Sequence, residues 1–286
     1  EINEDNENPL NWASSYNVGG TPGQENSVVP GIAQVQIVHN SASPTIDIYI
    51  DGQITIEGFQ YRTATPVLDM STVFTVGIAS QGGDVITEFP FTLVDGEDYV
   101  VVATGILGDE NTPFDLAATS TTFGASGDNV GLEIYHGSTD APAVDILANG
   151  DLLVSDLDYG TFSGYSQVPA ADYIIGLAPT GGSPIAEYSA SLSDLAGGSA
   201  VIFASGLLSG TDFGLFAALG SGNVFQLDEI IPQENITLSI GSVEGYPGDD
   251  VTVDVYVQFP DDVSVNSSDL ELTGFFDYLE FLSLNI

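Results

Sequence analysis

The chain contains no cysteine and almost no basic residues. Arg62 is its only basic side chain, against 41 acidic ones in 286 residues, so the formal net charge is −40 at pH 7. The lack of cysteine excludes disulfides and thiolate metal sites. Since one guanidinium cannot pair with 41 carboxylates, we expect the fold to depend on apolar burial and backbone hydrogen bonds.

The missing positive charge also excludes classes of partner. Nucleic acids and anionic lipids present phosphates, and a surface without basic residues repels both. Self-repulsion of the chain weakens with salt or bound cations, which favours a saline or calcium-containing exterior. The scarcity of Lys and Arg removes almost every trypsin site, as in a long-lived, protease-resistant extracellular protein. Drift in an acidic proteome is the alternative explanation.

Only one stretch is apolar enough to resemble a membrane span. Residues 200–220 carry a single charge, on Asp212, but they are punctuated by glycines. They align with residues 99–119, where Asp109 and Asp115 interrupt the same pattern. We therefore predict a strand, a turn and a second strand here, and no membrane insertion.

Two stretches of the chain are copies of one another. Residues 37–52 read IVHNSASPTIDIYIDG, and residues 134–150 read IYHGSTDAPAVDILANG. His39 and His136, the only two histidines, are equivalent in this alignment, as are Asp47 and Asp145. A period near 100 residues indicates one small domain that has been duplicated.

The hydrophobic pattern within each copy is that of short strands. Alternating or β-branched runs are separated by turn signals such as Asp51-Gly52, and no segment has a sustained helical period. The sequence therefore predicts an all-β fold of tandem antiparallel Ig-like β-sandwiches, followed by an incomplete C-terminal β-sandwich. The predicted divisions are an N-terminal arm (1–30), repeat 1 (31–120), repeat 2 (130–231) and a partial β-domain (232–286). Residues 120–129, rich in Ser, Thr and Gly, suggest a flexible linker.

The N-terminal arm is rich in Asn, Glu, Gly and Pro, which is typical of a flexible segment. It nevertheless holds the only tryptophan, Trp12, and a short apolar patch at Val28 and Val29. Exposed tryptophan favours a pocket. These three residues are candidates for anchoring the arm on its own subunit or on a neighbouring one.

The duplicated run resembles the bacterial family named domain of unknown function 4397. The resemblance rests on His39, Pro44 and Asp47 in the first copy and on His136, Pro142 and Asp145 in the second. It implies a secreted tandem β-sandwich and brings no established activity. The last segment, at 240–255 and 277–284, resembles the opening half of a cohesin-type β-sandwich, which implies extracellular assembly.

The duplicated motif contains the residue types of a hydrolase. His39, Ser41 and Asp47 lie within nine residues, and the second copy repeats the set with His136, Ser138 and Asp145. A hydrolase also needs an ordered relay and an oxyanion hole. We expect instead that the His and Asp side chains fix a turn by hydrogen bonds, with catalysis and metal binding as alternatives.

Calcium is the best ligand candidate, although no cofactor is certain. Carboxylate oxygens suit calcium, and acidic clusters occur at Asp95, Glu97 and Asp98 and at Asp249 and Asp250. Neither cluster has the spacing of a calcium loop, and solvated acidic turns explain them as well.

These patterns predict a structural protein of the cell exterior or surface and not an enzyme. We expect self-association into a filament or layer through exchange of strands or arms between subunits, since open sandwiches have free edges. The alternative is an adhesin-like binding module for a glycan or a protein.

Overall fold

The computed structural model describes residues 31–42 and 44–231 and the strands 237–240 and 255–258. The anchoring candidates Trp12, Val28 and Val29 and the calcium candidates Asp249 and Asp250 lie outside the described residues. The chain divides between Ile230 and Ile231 into two units.

Repeat 1 is a sandwich of two sheets. Its strands are β1 (Ile32–His39), β2 (Ile46–Ile50), β3 (Gln53–Phe59), β4 (Thr63–Ala64), β5 (Leu68–Ser71), β6 (Val73–Ser80), β7 (Val85–Thr92), β8 (Asp98–Thr104) and β9 (Asp115–Thr121). One sheet has the order β4-β1-β8-β9, with β5 also paired to β1, and the other has the order β3-β2-β6-β7.

Repeat 2 follows the same plan and adds a final pair of strands. Its strands are β10 (Asn129–Tyr135), β11 (Val144–Ala148), β12 (Asp151–Leu157), β13 (Ser166–Pro169), β14 (Asp172–Pro179), β15 (Ala186–Ser191), β16 (Ser199–Ser205), β17 (Gly214–Leu219), β18 (Val224–Gln226) and β19 (Asp228–Glu229). The sheets have the orders β13-β10-β16-β17-β18 and β12-β11-β14-β15-β19. A 3-10 turn at Ser193–Leu195 is the one helical element of the described residues.

The predicted all-β sandwich fold is confirmed, with one difference in strand direction. In each repeat the first strand pairs in parallel with the strand that follows the second sheet, as β1 with β8 and β10 with β16. The remaining pairs are antiparallel. The parallel pair arises because the chain crosses to the second sheet and back between these strands, which strand patterns alone do not reveal.

Tight turns close the hairpins at equivalent positions. Asp51 and Gly52 have φ of 49° and 75°, and Asn149 and Gly150 have φ of 52° and 87°. Two successive residues of positive φ form the turn that matches the twist of antiparallel strands, and Asp-Gly and Asn-Gly favour it.

Three apolar clusters make the two repeats a stack of four sheets. One cluster fills repeat 1 and a second fills repeat 2. A third lies between the repeats and joins the outer face of β1 and β8 to that of β10, β16 and β17; its members are Val38, Val100, Val102, Tyr135, Val201, Phe203, Phe216 and Ala218. The middle sheets are therefore buried on both faces, and the repeats form one body.

The connection between the repeats is held in place rather than flexible. The Phe123 N–H donates to Asp98 in repeat 1 (2.9 Å), while the Ala125 N–H donates to the Gly197 carbonyl (3.1 Å) and the Ser126 N–H to Gln167 in repeat 2 (3.0 Å). The Ser- and Gly-rich composition suggested a free linker, but the packing of one repeat against the other confines it.

Residues 200–220 form the predicted strand, turn and strand. They contain β16 and β17, which pair antiparallel from Ala200 with Leu219 to Ser205 with Gly214. Among the described residues, no helix is long and apolar enough to cross a membrane.

The second unit has a strand pair of its own. Strands β20 (Thr237–Ile240) and β21 (Val255–Gln258) pair antiparallel. The predicted resemblance of this segment to a cohesin-type sandwich stays a prediction.

Candidate functional site

The duplicated aspartates each join neighbouring parts of one sheet. Asp47 accepts hydrogen bonds from the Gly58 N–H and the Gly82 N–H, both at 2.7 Å. Asp145 accepts the equivalent pair from Asp156 (2.8 Å) and Gly181 (2.7 Å).

Each of these carboxylates, carried on β2 or β11, thus bridges the next strand, β3 or β12, to a turn about 35 residues further along the chain. The two backbone donors lower the pKa of both Asp47 and Asp145 below the usual range. Both side chains are fully used by the fold, and neither contacts the neighbouring histidine through a hydrogen bond.

The duplicated histidines are buried beside the turn that contains the proline of the motif. His136 Nε2 lies 3.0 Å from the Pro142 carbonyl oxygen. Burial lowers the pKa of His39 to about 4, against a smaller opposing effect of the Pro44 carbonyl. His39 is therefore neutral at pH 7 and packs as part of the core, with its ring centre 5.5 Å from that of Phe59.

The histidine, serine and aspartate do not form a catalytic relay. His39 Nδ1 accepts a hydrogen bond from the backbone N–H of Ser41 at 3.3 Å, and the Ser41 hydroxyl is buried without a partner. Since both oxygens of Asp47 bind backbone groups, no acid orients the ring. The structural role predicted for His39, Pro44 and Asp47 and for their counterparts stays a prediction.

A cavity of about 50 Å³ lies beside His136 in the core of repeat 2. Leu157 lines it and occupies the place that Phe59 holds in repeat 1, because Phe59 pairs with Ile46 as Leu157 pairs with Val144. Repeat 2 thus has Leu157 and Val144 where repeat 1 has the larger Phe59 and Ile46.

The calcium candidates of repeat 1 serve as hydrogen-bond acceptors. Asp95 accepts from the Ile32 N–H at 2.8 Å and Asp98 from the Phe123 N–H at 2.9 Å, while Glu97 is exposed. In the part of the chain that the structure describes, no three His, Asp or Glu side chains are grouped as for a metal ion. Calcium binding stays a prediction.

No sequence motif around Arg62 predicts a role for it, yet its side chain joins the two repeats. Its Nε donates to the Ser205 hydroxyl at 2.9 Å, and its terminal nitrogen donates to the Asp212 carbonyl. The guanidinium lies 4.4 Å from the centre of the Phe216 ring and 4.6 Å from that of Tyr61. Such stacking is attractive because the face of an aromatic ring is negative.

Arg62 makes this contact from a left-handed backbone conformation that arginine disfavours. Its φ is 62°, and its N–H donates to the His39 carbonyl at 2.7 Å. The equivalent residue of repeat 2 is Gly160, with φ of 78° and the same bond to His136 at 2.8 Å. Glycine adopts this conformation without strain, whereas arginine does not.

Polar groups complete the interface between the repeats. Gln36 is buried and its amide donates to the Leu219 carbonyl of repeat 2 at 2.7 Å. Its counterpart in repeat 2 is Glu133, also buried, whose oxygens make no hydrogen bond of ordinary geometry. Burial raises the pKa of Glu133 to about 7, although the neighbouring Gly164 N–H and Thr121 hydroxyl oppose the shift.

The last strands of repeat 2 have no equivalent in repeat 1. Strand β18 pairs with β17, and β19 pairs with β15, so residues 224–229 close the same edge of both sheets. The aligned residues 125–130 of repeat 1 read ASGDNV and already lead into β10. Among the described residues, β9 pairs only with β8, and β7 only with β6.

The missing strand leaves apolar residues of repeat 1 open to solvent. Ala118 is exposed, whereas its counterpart Ala217 is 1% exposed. Leu116 is half-buried, whereas its counterpart Leu215 is 3% exposed and its carbonyl accepts from the Leu227 N–H at 2.8 Å. We call the outer edges of β7 and β9 the open edge of repeat 1.

Comparison with known families agrees with this duplication. A family described as Domain of unknown function (DUF4397) matches residues 33–132 and again residues 130–217. The two matches span more than half of the chain, so the chain belongs to this family and carries its domain twice in tandem. The comparison with curated proteins found no match.

Proposed function

We propose that this protein is a structural subunit of an extracellular filament or surface layer, assembled by exchange of β-strands between subunits. The observation that carries the proposal is the open edge of repeat 1. Natural sheets usually protect their edges, because unpaired N–H and C=O groups recruit strands from other chains.

The edge strand β9 lacks the usual protection. Its sequence, DLAATST, is seven residues long and has no proline and no lysine. Ala118 is exposed although its counterpart Ala217 lies in the core of repeat 2. The other strand of the open edge, β7, does contain Pro90, which blocks one backbone donor. Strand β9 is therefore the better acceptor for an added strand.

The body of the protein suits a mechanical role. Four stacked sheets share three apolar clusters, and the one basic side chain of the sequence links the two repeats. The carboxylates of Asp47 and Asp145 accept backbone hydrogen bonds within the fold. We therefore favour a non-catalytic function.

The charge of the chain sets the conditions for assembly. A net charge of −40 repels neighbouring subunits, so subunits would associate in salt or with bound divalent cations, as at a cell surface or in the extracellular medium. Calcium is the cation that carboxylate clusters favour.

Deletion of residues 1–30 tests the proposal. Electron microscopy of the full chain in high salt with calcium should show regular filaments or sheets, and the truncated chain should stay dispersed while its circular dichroism remains that of a β-protein. Dispersed full-length particles under every salt and calcium condition would overturn the proposal, and so would unchanged polymers after the deletion.

A binding module is the second candidate. The outer face of the β3-β2-β6-β7 sheet presents three exposed apolar side chains, Ile54, Val85 and Ile86. A saturable interaction of a monomer with a glycan or protein, lost in an Ile54→Asp variant, would favour this function over assembly.

A further inference from the structure

Repeat 2 shows what a strand at the open edge of repeat 1 would look like, because β18 and β19 occupy the equivalent edge of repeat 2. There, β18 pairs with β17, and just before β18 the Asn223 carbonyl accepts a hydrogen bond from the Leu219 N–H at 2.9 Å. Leu227 then inserts into the core at 3% exposure, and β19 crosses to the other sheet. A strand for repeat 1 therefore needs an apolar face directed between the sheets.

One segment of the chain has this pattern. From residue 10 to residue 18 the sequence reads LNWASSYNV, with Leu10, Trp12, Tyr16 and Val18 at every second position apart from Ser14. The intervening residues are Asn, Ala, Ser and Asn. Since side chains alternate between the faces of a strand, the four apolar residues would share one face.

The same segment is free of charge in a strongly acidic chain. Residues 8–24 contain no acidic or basic side chain, although the chain as a whole carries 41 acidic residues. An uncharged segment approaches the acidic body of another subunit with the least electrostatic cost. The arm is also long enough, since 30 extended residues reach about 100 Å.

Strand direction favours an arm from another subunit. A strand that pairs with β9 as β18 pairs with β17 would run parallel to β1, because β9 is antiparallel to β8 and β8 is parallel to β1. An arm of the same chain would then have to return along the whole sheet within residues 19–30 before entering β1. An arm of a second copy has no such constraint.

We infer that residues Leu10–Val18 of one copy pair with β9 of a second copy and complete the sandwich of its repeat 1. This inference rests on the proposed function and specifies its contact. Each subunit has one such arm and one open edge, so the contact is heterologous and propagates head to tail into a linear polymer.

Mixing two blocked variants tests this contact. Ala118→Pro removes an outward backbone donor from β9 while the bonds to β8 remain, and Trp12→Asp places a charge on the apolar face of the arm. Each variant alone should stay monomeric, and an equimolar mixture should form a dimer of twice 29.8 kDa by light scattering. Ala118→Ser and Trp12→Phe are the matched controls, and both should assemble as the wild type does.

The results distinguish a failure of the arm contact from a failure of the proposed structural function. If the wild type assembles and Trp12→Asp assembles equally well, the arm contact is wrong while the structural function stands. If the wild type never assembles, the proposed function itself fails. A mixture that contains only monomers would overturn exchange between copies. Circular dichroism verifies folding, and Ala118→Lys serves as a second acceptor block should the proline variant not fold.

Discussion

The guanidinium group of Arg62 lies 4.4 Å from the centre of the Phe216 ring, so the only basic side chain of the protein joins repeat 1 to repeat 2. It does so from a backbone conformation that the equivalent position fills with Gly160. The contact therefore adds to the third apolar cluster in joining the two repeats.

Replacement of Arg62 separates the side-chain contact with repeat 2 from the backbone strain at residue 62. Arg62→Ala should lower the free energy of unfolding by about 2 kcal/mol, because it removes the stacking on Phe216 and the bond to Ser205 but keeps the strained backbone. Arg62→Gly should recover about 1 kcal/mol of that loss by relieving the strain. Calorimetry measures both values. Equal stability of the two variants would show that the backbone of residue 62 is not strained.

The buried carboxyl of Glu133 predicts a pH-dependent stability. Burial raises its pKa to about 7 in the folded protein, above the 4.5 of an ordinary glutamate. Between these values the folded state binds more protons than the unfolded state, so stability falls as pH rises from 4.5 to 7.

Glu133→Gln should remove this component and exceed the wild type in stability at pH 8 by roughly 2 kcal/mol. The two proteins should be nearly equal at pH 4.5. Chemical denaturation across this range measures the difference, and Glu97→Gln at an exposed position is the control for loss of one charge. A difference that does not change with pH would contradict the assignment.

The aspartates of the duplicated motif should stabilise each repeat in the same way. Their lowered pKa values mean that Asp47 and Asp145 contribute stability above the ordinary carboxyl pKa and lose it as pH falls through their folded pKa. Asp47→Asn and Asp145→Asn should each lower the melting temperature by several degrees at pH 7, and the loss should shrink in acid. Asp84→Asn, at an exposed turn, should change it little.

The cavity beside His136 should be fillable. Leu157→Phe restores the residue that repeat 1 has at this position and should raise the free energy of unfolding by about 1 kcal/mol. Leu157→Ala should lower it by about 3 kcal/mol. If Leu157→Phe destabilises the protein instead, the space around Leu157 does not have the shape of the Phe59 site.

Much of the fold follows from the sequence because the duplication places equivalent residues in equivalent strands. The β-branched and alternating runs predicted strands, and the run before Asp51-Gly52 is β2, which spans Ile46–Ile50. Asp-Gly and Asn-Gly predicted the hairpin turns that close β2 and β3 and their counterparts. These strands and turns depend on residues that are close in the chain, so a single sequence is enough to predict them.

The contact between the repeats could not be predicted in the same way. Val38 and Tyr135 belong to apolar runs that are buried on both faces, but the pattern does not say what covers the second face. Arg62 was visible as the only basic residue, whereas its partners Ser205 and Phe216 lie more than 140 residues away.

The sequences of the two repeats differ at the open edge, but only the structure shows what this difference means. The aligned segments 125–130 and 224–229 differ, since ASGDNV contains turn residues and VFQLDE can form strands. The functional meaning of that difference requires the knowledge that β18 and β19 close an edge.

Thiol cross-linking between two copies tests the central claim most directly, because the chain has no cysteine of its own. A Ser14→Cys variant is mixed with an Ala118→Cys variant and treated with a short bifunctional maleimide in high salt. The account predicts a covalent dimer of the two variants, and little product when Ala118→Cys is replaced by Phe225→Cys on the closed edge of repeat 2. Equal cross-linking to both edges, or none to residue 118, would contradict it.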